Sequence, residues 1–202
     1  MKHKKRETSA EFMARLHSDP EWVRQDAERR AKHQALVERI RKEMEPEYEP
    51  LLAELIAAGV KVRMNPKIQL TLPPEERPGN TPLPIRLISD LVNARDTYPE
   101  AIPILVKHLR IVRHPVMMDM IARALTVKEA LGTDAARVIL DRLKQTRPSA
   151  TESGDEYQAR WALANALTVV ADKSMAEEIK SLIADPRYQD VRERLEKAAR
   201  RR

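Results

Sequence analysis

A seven-residue stretch occurs twice in this chain, and the distance between its copies constrains the fold more than any other feature. Residues 121–127 read IARALTV and residues 163–169 read LANALTV, so five of seven positions are identical at an offset of 42. A related pattern (Ala or Val, then Arg, two spacers, Leu, two spacers, Ala) starts at Ala159 and again at Val191. Repeats of about this length with two helices each are typical of α-solenoids, in which helical pairs stack because one pair alone cannot bury its apolar face.

The composition also favours helices. Aromatic residues make up 3% of the chain, and there are only 4 glycines, whereas all-β folds usually use more of both. The absence of cysteine excludes a disulfide scaffold and a thiolate nucleophile, and it fits a cytoplasmic location. The basic start lacks the apolar segment of a secretory signal, and no apolar run is long enough to span a bilayer, so we expect no membrane contact.

Four regions are expected along the chain. Residues 1–9 are predicted to form a disordered basic tail, and residues 10–58 an N-terminal helical arm. Residues 59–83 are rich in proline and are predicted to form a hairpin or a connector, and residues 84–202 a domain of about three helical pairs. We expect this last region to fold without the arm, because its apolar stripes can face each other.

Two features of the arm and connector give local expectations. A long helix, capped by Ser18 or Asp19, is predicted to end near Glu45, because Pro46 and Pro50 interrupt the helical pattern. Residues 60–64 and 67–72 alternate apolar and polar side chains, which predicts either a small β-hairpin or an ordered extended connector.

The C-terminal half resembles the HEAT-repeat superfamily. The resemblance covers residues 99–202 and is carried by IPILVKHL with MDMIARAL, by RVILDRL with YQARWALANAL, and by IKSLIADPRYQDVRERLEKA, with Asp185 before the turn and Arg192 in the second helix. The pairing of such repeats with the N-terminal arm is also similar to uncharacterised bacterial HEAT-repeat proteins. The resemblance implies a curved stack whose second helices line a concave, ligand-holding side. Such folds serve chiefly as protein-binding scaffolds, while a minority bind nucleic acid and one branch removes alkylated bases from DNA.

Aligning the second helices by the repeat reveals one polar side. Equivalent positions form three sets: Asp119, Trp161 and Glu193; Arg123, Asn165 and Lys197; and Thr126, Thr168 and Arg200. The apolar repeat positions, such as Ile121 and Leu163, lie about 200° away around each helix. We therefore expect the polar side to face the concave groove and to bind a partner there, with the six residues of the first two sets as the candidate binding residues.

Trp161 is the one apolar member of these sets, and two interpretations of it remain open. A tryptophan among polar groove residues is typical of an anchor for a protein partner. Alternatively, Trp161 turns inward and covers the adjacent repeat, since tryptophan usually ends mostly buried.

No catalytic, metal or cofactor motif is present. The five histidines lack the spacing of a helical metal site, and there is neither a glycine-rich phosphate loop nor a G-x-S-x-G turn. The acidic pairs at 155–156 and 177–178 stand at predicted helix starts, where their negative charges interact favourably with the helix dipole. A DNA glycosylase would require an arrangement such as Trp161 with Arg160 and Asp119 around a flipped base. We expect no enzyme activity and no cofactor.

The charge distribution decides between two functions. The net charge is +6, but the excess lies at the ends: residues 187–202 carry seven bases and three acids, whereas the nine aligned positions include three bases and two acids. We therefore expect a non-enzymatic protein-interaction scaffold that binds along its second helices. The alternative is a HEAT-like nucleic-acid-binding protein, for which weak, non-specific contact through the basic ends is expected.

Overall fold

The computed structural model of the chain describes residues 8, 9, 13, 17–65, 81–146, 148 and 152–200. Within these residues the chain forms eight α-helices and a single two-stranded sheet, so the predicted all-α class is confirmed. Most of the predicted tail, and residues 67–72 of the predicted hairpin, lie outside the described residues. The chain divides into two compact units, Met1–Glu43 and Met44–Arg202.

The first helix, α1, spans Pro20–Ala57. Of the two expected capping residues, Asp19 caps the helix: its carboxylate oxygen accepts a hydrogen bond of 2.9 Å from the Glu21 backbone N–H. In the first unit nearly every side chain of this helix is exposed, and pairs such as Arg30–Asp26 (2.7 Å) run along its surface. The first half of the helix therefore contributes almost nothing to a core.

The expected break at Pro46 and Pro50 is wrong, since α1 continues through both residues to Ala57. Each proline removes one backbone hydrogen bond from a helix and crowds the carbonyl group four residues earlier. Their spacing of four puts the two prolines on the same side of α1, and both are exposed, so that water can solvate the freed carbonyl groups. The helix ends at Ala57, and Gly59 two residues later has a φ of +70°, the left-handed conformation of a helix-terminating glycine.

The small sheet pairs two segments that are distant in sequence. Strand β1 (Lys61–Val62) pairs antiparallel with β2 (Leu83–Pro84), with Lys61 opposite Pro84. The alternating segment at 60–64 thus does enter a sheet, and its described partner comes from the end of the proline-rich region. An isolated bridge between Met64 and Ala94 extends the pairing toward the helices.

The remaining helices follow in order along the second unit. They are α2 (Ser89–Val92), α3 (Ile102–Ile111), α4 (Pro115–Ala124), α5 (Ala135–Gln145), α6 (Gly154–Val170), α7 (Ala176–Ala184) and α8 (Arg192–Ala199). Consecutive helices pack as α3 with α4, α5 with α6 and α7 with α8. In addition, α6 packs against both α4 and α8, and α3 packs against α5.

The core of the second unit is mainly aliphatic, with two buried tyrosines, as the shortage of aromatic residues leads one to expect. The repeat positions Ile121, Leu163 and Leu195 are each 0% exposed, so the alignment of the second helices correctly identifies their inward side. Leu51 and Leu55 of α1 are also 0% exposed and belong to the same hydrophobic cluster. The core therefore begins well before residue 84.

Candidate functional site on the second helices

The second helices α4, α6 and α8 form a row in which α6 is central. Their apolar repeat positions are buried, so the polar positions on the other side of each helix stay at least partly exposed. Ser153 fixes the start of α6: its hydroxyl accepts a hydrogen bond from the Glu156 N–H, and the Glu156 carboxylate accepts one from the Ser153 N–H at 2.7 Å. This capping box sets where α6 begins, and with it the position of Trp161 two turns later.

Trp161 lies between arginines from the two neighbouring helices. The guanidinium carbon of Arg123 on α4 is 5.5 Å from the centroid of the Trp161 ring, and that of Arg194 on α8 is 4.9 Å from it. Both distances are within the range of cation–π attraction. One aromatic ring therefore links side chains from all three second helices.

The arginine on α4 is held in place by a carboxylate. Arg123 Nε donates to both Asp119 carboxylate oxygens, at 2.8 and 2.9 Å, one helical turn earlier. A second nitrogen of the guanidinium donates to Gln158 Oε1 on α6 at 3.4 Å. We call the four side chains Asp119, Arg123, Trp161 and Arg194 the Arg–Trp ladder.

The electrostatics of the ladder differ at its two ends. Burial raises the pKa of the Asp119 carboxyl above its ordinary value; the hydrogen bonds and charge of Arg123 lower it by less, and Asp155 adds to the rise. At the other end, Arg194 has no carboxylate partner within the described part of the chain. One guanidinium of the ladder is thus neutralised, and the other is available to a ligand.

The six predicted residues divide into three groups. Asp119, Arg123 and Trp161 come together in the ladder. Asn165 is half-buried one turn after Trp161, and its backbone carbonyl accepts a hydrogen bond of 2.7 Å from Thr168. Glu193 and Lys197 are exposed on α8, and neither is joined to Trp161 by a hydrogen bond or a ring contact within the described residues.

The environment of Trp161 agrees in part with each of the two interpretations that the sequence left open. Its side chain packs against the hydrophobic core and is only half-buried. It therefore covers the neighbouring helices and also leaves part of the ring on the surface.

Arg194 is a ladder residue that the repeat alignment missed. It follows the aligned position Glu193 by one residue, which turns it about 100° around α8. Only the packing of α8 against α6 brings this side chain over Trp161. The available sequence signal was a second arginine in the last repeat, beside the expected Arg192.

Arg160 lies apart from Trp161 and Asp119, with which the sequence offered to combine it, because its side chain turns into the interior. Its side chain is buried, with 1% exposure, and donates to Glu152 at 2.8 Å and to Asp190 at 2.9 Å. Burial alone would lower the pKa of the Arg160 guanidinium, but the two carboxylates outweigh it and raise that pKa above its ordinary value. Arg160 therefore ties the segments before α6 and α8 to the inside of the unit.

A shallow groove of about 530 Å³ lies between α3 and the segment that precedes α5. Its walls include Pro99, Ile102, Pro103 and Val106. The cations at its rim are already paired, Lys107 with Glu54 at 2.7 Å and Arg110 with Asp134 at 2.9 Å. The groove thus presents mainly apolar walls, whereas the ladder has an unpaired cation beside an aromatic ring.

The described residues contain no metal-binding group and no membrane-spanning helix, and the comparisons with known proteins give no match. Within the ranges that the structure describes, histidine, aspartate and glutamate form no group of three that could hold a metal ion. None of the described helices has both the length and the apolar character needed to cross a bilayer. No protein-family model, no curated protein and no solved structure matches the chain.

Proposed function

We propose that this chain is a short α-solenoid of three HEAT-like helical pairs that serves as a non-enzymatic scaffold and binds a protein partner along α4, α6 and α8. Support for the solenoid comes from the packing order: each first helix packs with its own second helix, and α6 packs with α4 and α8. A stack of this kind presents a continuous surface made from several repeats, which suits an extended protein partner.

The observation that carries the proposal is the Arg–Trp ladder. Tryptophan and arginine are the residue types most enriched among the few side chains that dominate protein–protein affinity. Here a half-buried Trp161 stands between Arg123 and Arg194, and together they span all three second helices. A ring held in this way loses little conformational freedom on binding, so more of its contact energy contributes to affinity.

Nucleic-acid binding is the second candidate, favoured by the net charge of +6 and by the seven bases in residues 187–202. The ladder itself gives this candidate less support, because Asp119 neutralises Arg123. Under this alternative, affinity for duplex DNA should fall steeply with rising salt and show no sequence preference.

The proposal is tested by affinity capture from an extract of the native cell, after nuclease treatment. Three baits are compared: the natural chain, Trp161→Ala and Arg192→Ala. Arg192 is a matched control, since it is an exposed arginine that pairs with Glu196 on α8 (3.0 Å). We expect proteins that the natural chain and Arg192→Ala retain and that Trp161→Ala loses.

The captured material also distinguishes the two candidates. Partners that disappear on nuclease treatment would favour the nucleic-acid alternative. Equal capture by all three baits would contradict binding at the ladder.

A further inference from the structure

The unpaired cations of α8 point to the chemistry of the partner. We propose that Arg194 and Lys197 bind carboxylates of an acidic segment in the partner protein, with the exposed part of Trp161 contacting an apolar side chain beside those carboxylates. This inference rests on the proposed function, because it concerns the same surface.

Four basic residues, Arg192, Arg194, Lys197 and Arg200, lie on α8 or directly after it. Arg192 and Arg200 both pair with Glu196, at 3.0 and 3.7 Å. Within the described residues, Arg194 and Lys197 have no carboxylate partner. In this part of the chain, two of the four cations are thus paired and two are not.

The two cations without a carboxylate partner lie close together on α8. Arg194 and Lys197 are three residues apart, so their side chains emerge on the same side of α8. That side adjoins Trp161, whose ring centroid is 4.9 Å from the Arg194 guanidinium carbon. One cation against a partly exposed ring, with a second cation one helical turn further along α8, matches a segment in which acidic and apolar side chains alternate.

The arrangement of charges and rings around Arg194 bears on the class of anion. A guanidinium group can form two parallel hydrogen bonds with a carboxylate or with a phosphate, so the surrounding residues decide between the two. Single-stranded nucleic acid instead requires a track of cations and open aromatic faces for its bases. Asp119, Asp155 and Glu193 interrupt any such track, and Arg123 and Arg194 both stand against Trp161. The surface therefore fits an acidic peptide better than a phosphate backbone.

The experiment measures the binding of a fluorescein-labelled twelve-residue peptide of Glu, Asp and Leu by fluorescence anisotropy, with the full chain at about 0.1 M salt. The comparison probes are the same peptide with Gln and Asn in place of its acids, and a twelve-nucleotide single strand. Arg194→Ala and Lys197→Ala are compared with Arg192→Ala and Arg200→Ala. Circular dichroism checks that each variant is folded.

We expect the acidic peptide to bind at least about tenfold more tightly than its neutral counterpart, and each of Arg194→Ala and Lys197→Ala to weaken it about fivefold. Arg192→Ala and Arg200→Ala should leave its affinity within about twofold. Equal losses from all four variants would indicate a general charge effect and overturn the proposal. So would the absence of peptide binding, tighter Arg194-dependent binding of the nucleotide strand, or a dimer of the chain that Arg194→Ala dissociates.

The result is separable from that of the capture experiment. If the Trp161→Ala variant no longer captures proteins but peptide affinity does not depend on Arg194, the scaffold function stands and the acidic-partner inference fails. If peptide binding depends on Arg194 but no captured protein depends on Trp161, the proposed function fails instead.

Discussion

At the scale of single residues, the Trp161 side chain is divided between the core and the surface. Its buried part fills space between helices, and its exposed part remains available for contact. We expect Trp161→Ala to lower the free energy of unfolding by about 2 kcal/mol, less than the roughly 3–5 kcal/mol of a fully buried tryptophan, because water already reaches part of the site. Urea denaturation measures this loss, and a value above about 4 kcal/mol would place the ring in the core.

Arg160 and Arg192 occupy the same position in successive repeats but have opposite surroundings. Arg160 is buried between Glu152 and Asp190, whereas the Arg192 side chain is 48% exposed. Arg160→Ala leaves two carboxylates without their cation, so we expect a loss of about 3–5 kcal/mol. Arg192→Ala should cost about 0.5 kcal/mol or less. Chemical denaturation of both variants measures the two losses of unfolding free energy. Similar losses would refute the prediction.

The sequence identified the register of these residues but not their neighbours. The repeat alignment correctly predicts the inward positions Ile121, Leu163 and Leu195, because burial follows the helical period. It gives no information on Arg194 against Trp161, nor on the burial of Arg160, since both depend on how one helix packs against another. Contacts across helices carry no periodic signal in a single sequence.

At the scale of elements, α1 shows where a local rule is overridden. A proline inside a helix costs about 3 kcal/mol, which made a break near Glu45 the natural expectation. The helix nevertheless continues, and Leu51 and Leu55, which follow the prolines, are fully buried. Burying two leucines contributes about 3–6 kcal/mol, enough to offset a large part of that cost.

The link between α5 and α7 should make stability depend on pH. Glu178 on α7 accepts from Lys144 at 2.7 Å and from Arg137 at 2.8 Å, and these two α5 cations lower the pKa of its carboxyl. A carboxyl whose pKa is lower in the folded chain stabilises the fold above its unfolded value, near 4.5, and loses that effect as pH falls through the folded value. Glu178→Gln should therefore lower Tm at pH 7 and have a smaller effect well below pH 4.

Asp119 provides a control of opposite sign. Because burial raises its pKa in the folded chain, its charged form costs stability once pH rises through the folded value, which lies above the ordinary 3.8. Thermal unfolding of Asp119→Asn and Glu178→Gln across this range should show Tm differences from the natural chain that change with pH in opposite directions. Parallel changes would contradict the assigned causes.

At the scale of the whole molecule, the extent of the core revises one expectation from the sequence. Leu51, Leu55, Val60 and Val62 are buried in the cluster that the later helices share. Removing residues 1–43 should shift Tm by only a few degrees, because the second unit keeps its core. A chain that starts at residue 84 loses four buried aliphatic side chains, each worth about 1.5–3 kcal/mol.

Calorimetry on the two truncations tests this difference. The 44–202 chain should unfold in a single cooperative transition, and the 84–202 chain should lack one, since the loss approaches the total stability of a typical domain. If the 84–202 chain unfolded in one cooperative transition with an unchanged Tm, the segment around α1 and β1 would be dispensable for stability.

The helical class and most helix positions follow from the sequence because apolar period, caps and helix-ending glycines act locally. Gly59 and Ser153 stand where those rules require, at the end of α1 and the start of α6. The pairing of Lys61–Val62 with Leu83–Pro84 does not follow, because the residues between them give no cue to the partner strand. Local rules predict elements, and the tertiary pairing requires the structure.

The most direct test of the central claim is photo-crosslinking in the native cell. Gln158 is exposed on α6 and accepts a hydrogen bond from Arg123. A benzoylphenylalanine in its place reports which molecule lies against the ladder. The matched control carries it at Lys180 on α7, whose side chain is 60% exposed. The scaffold account predicts a nuclease-resistant protein adduct from Gln158 that Trp161→Ala abolishes, and none from Lys180. Adducts from Lys180 alone, or from Gln158 regardless of Trp161, would contradict it.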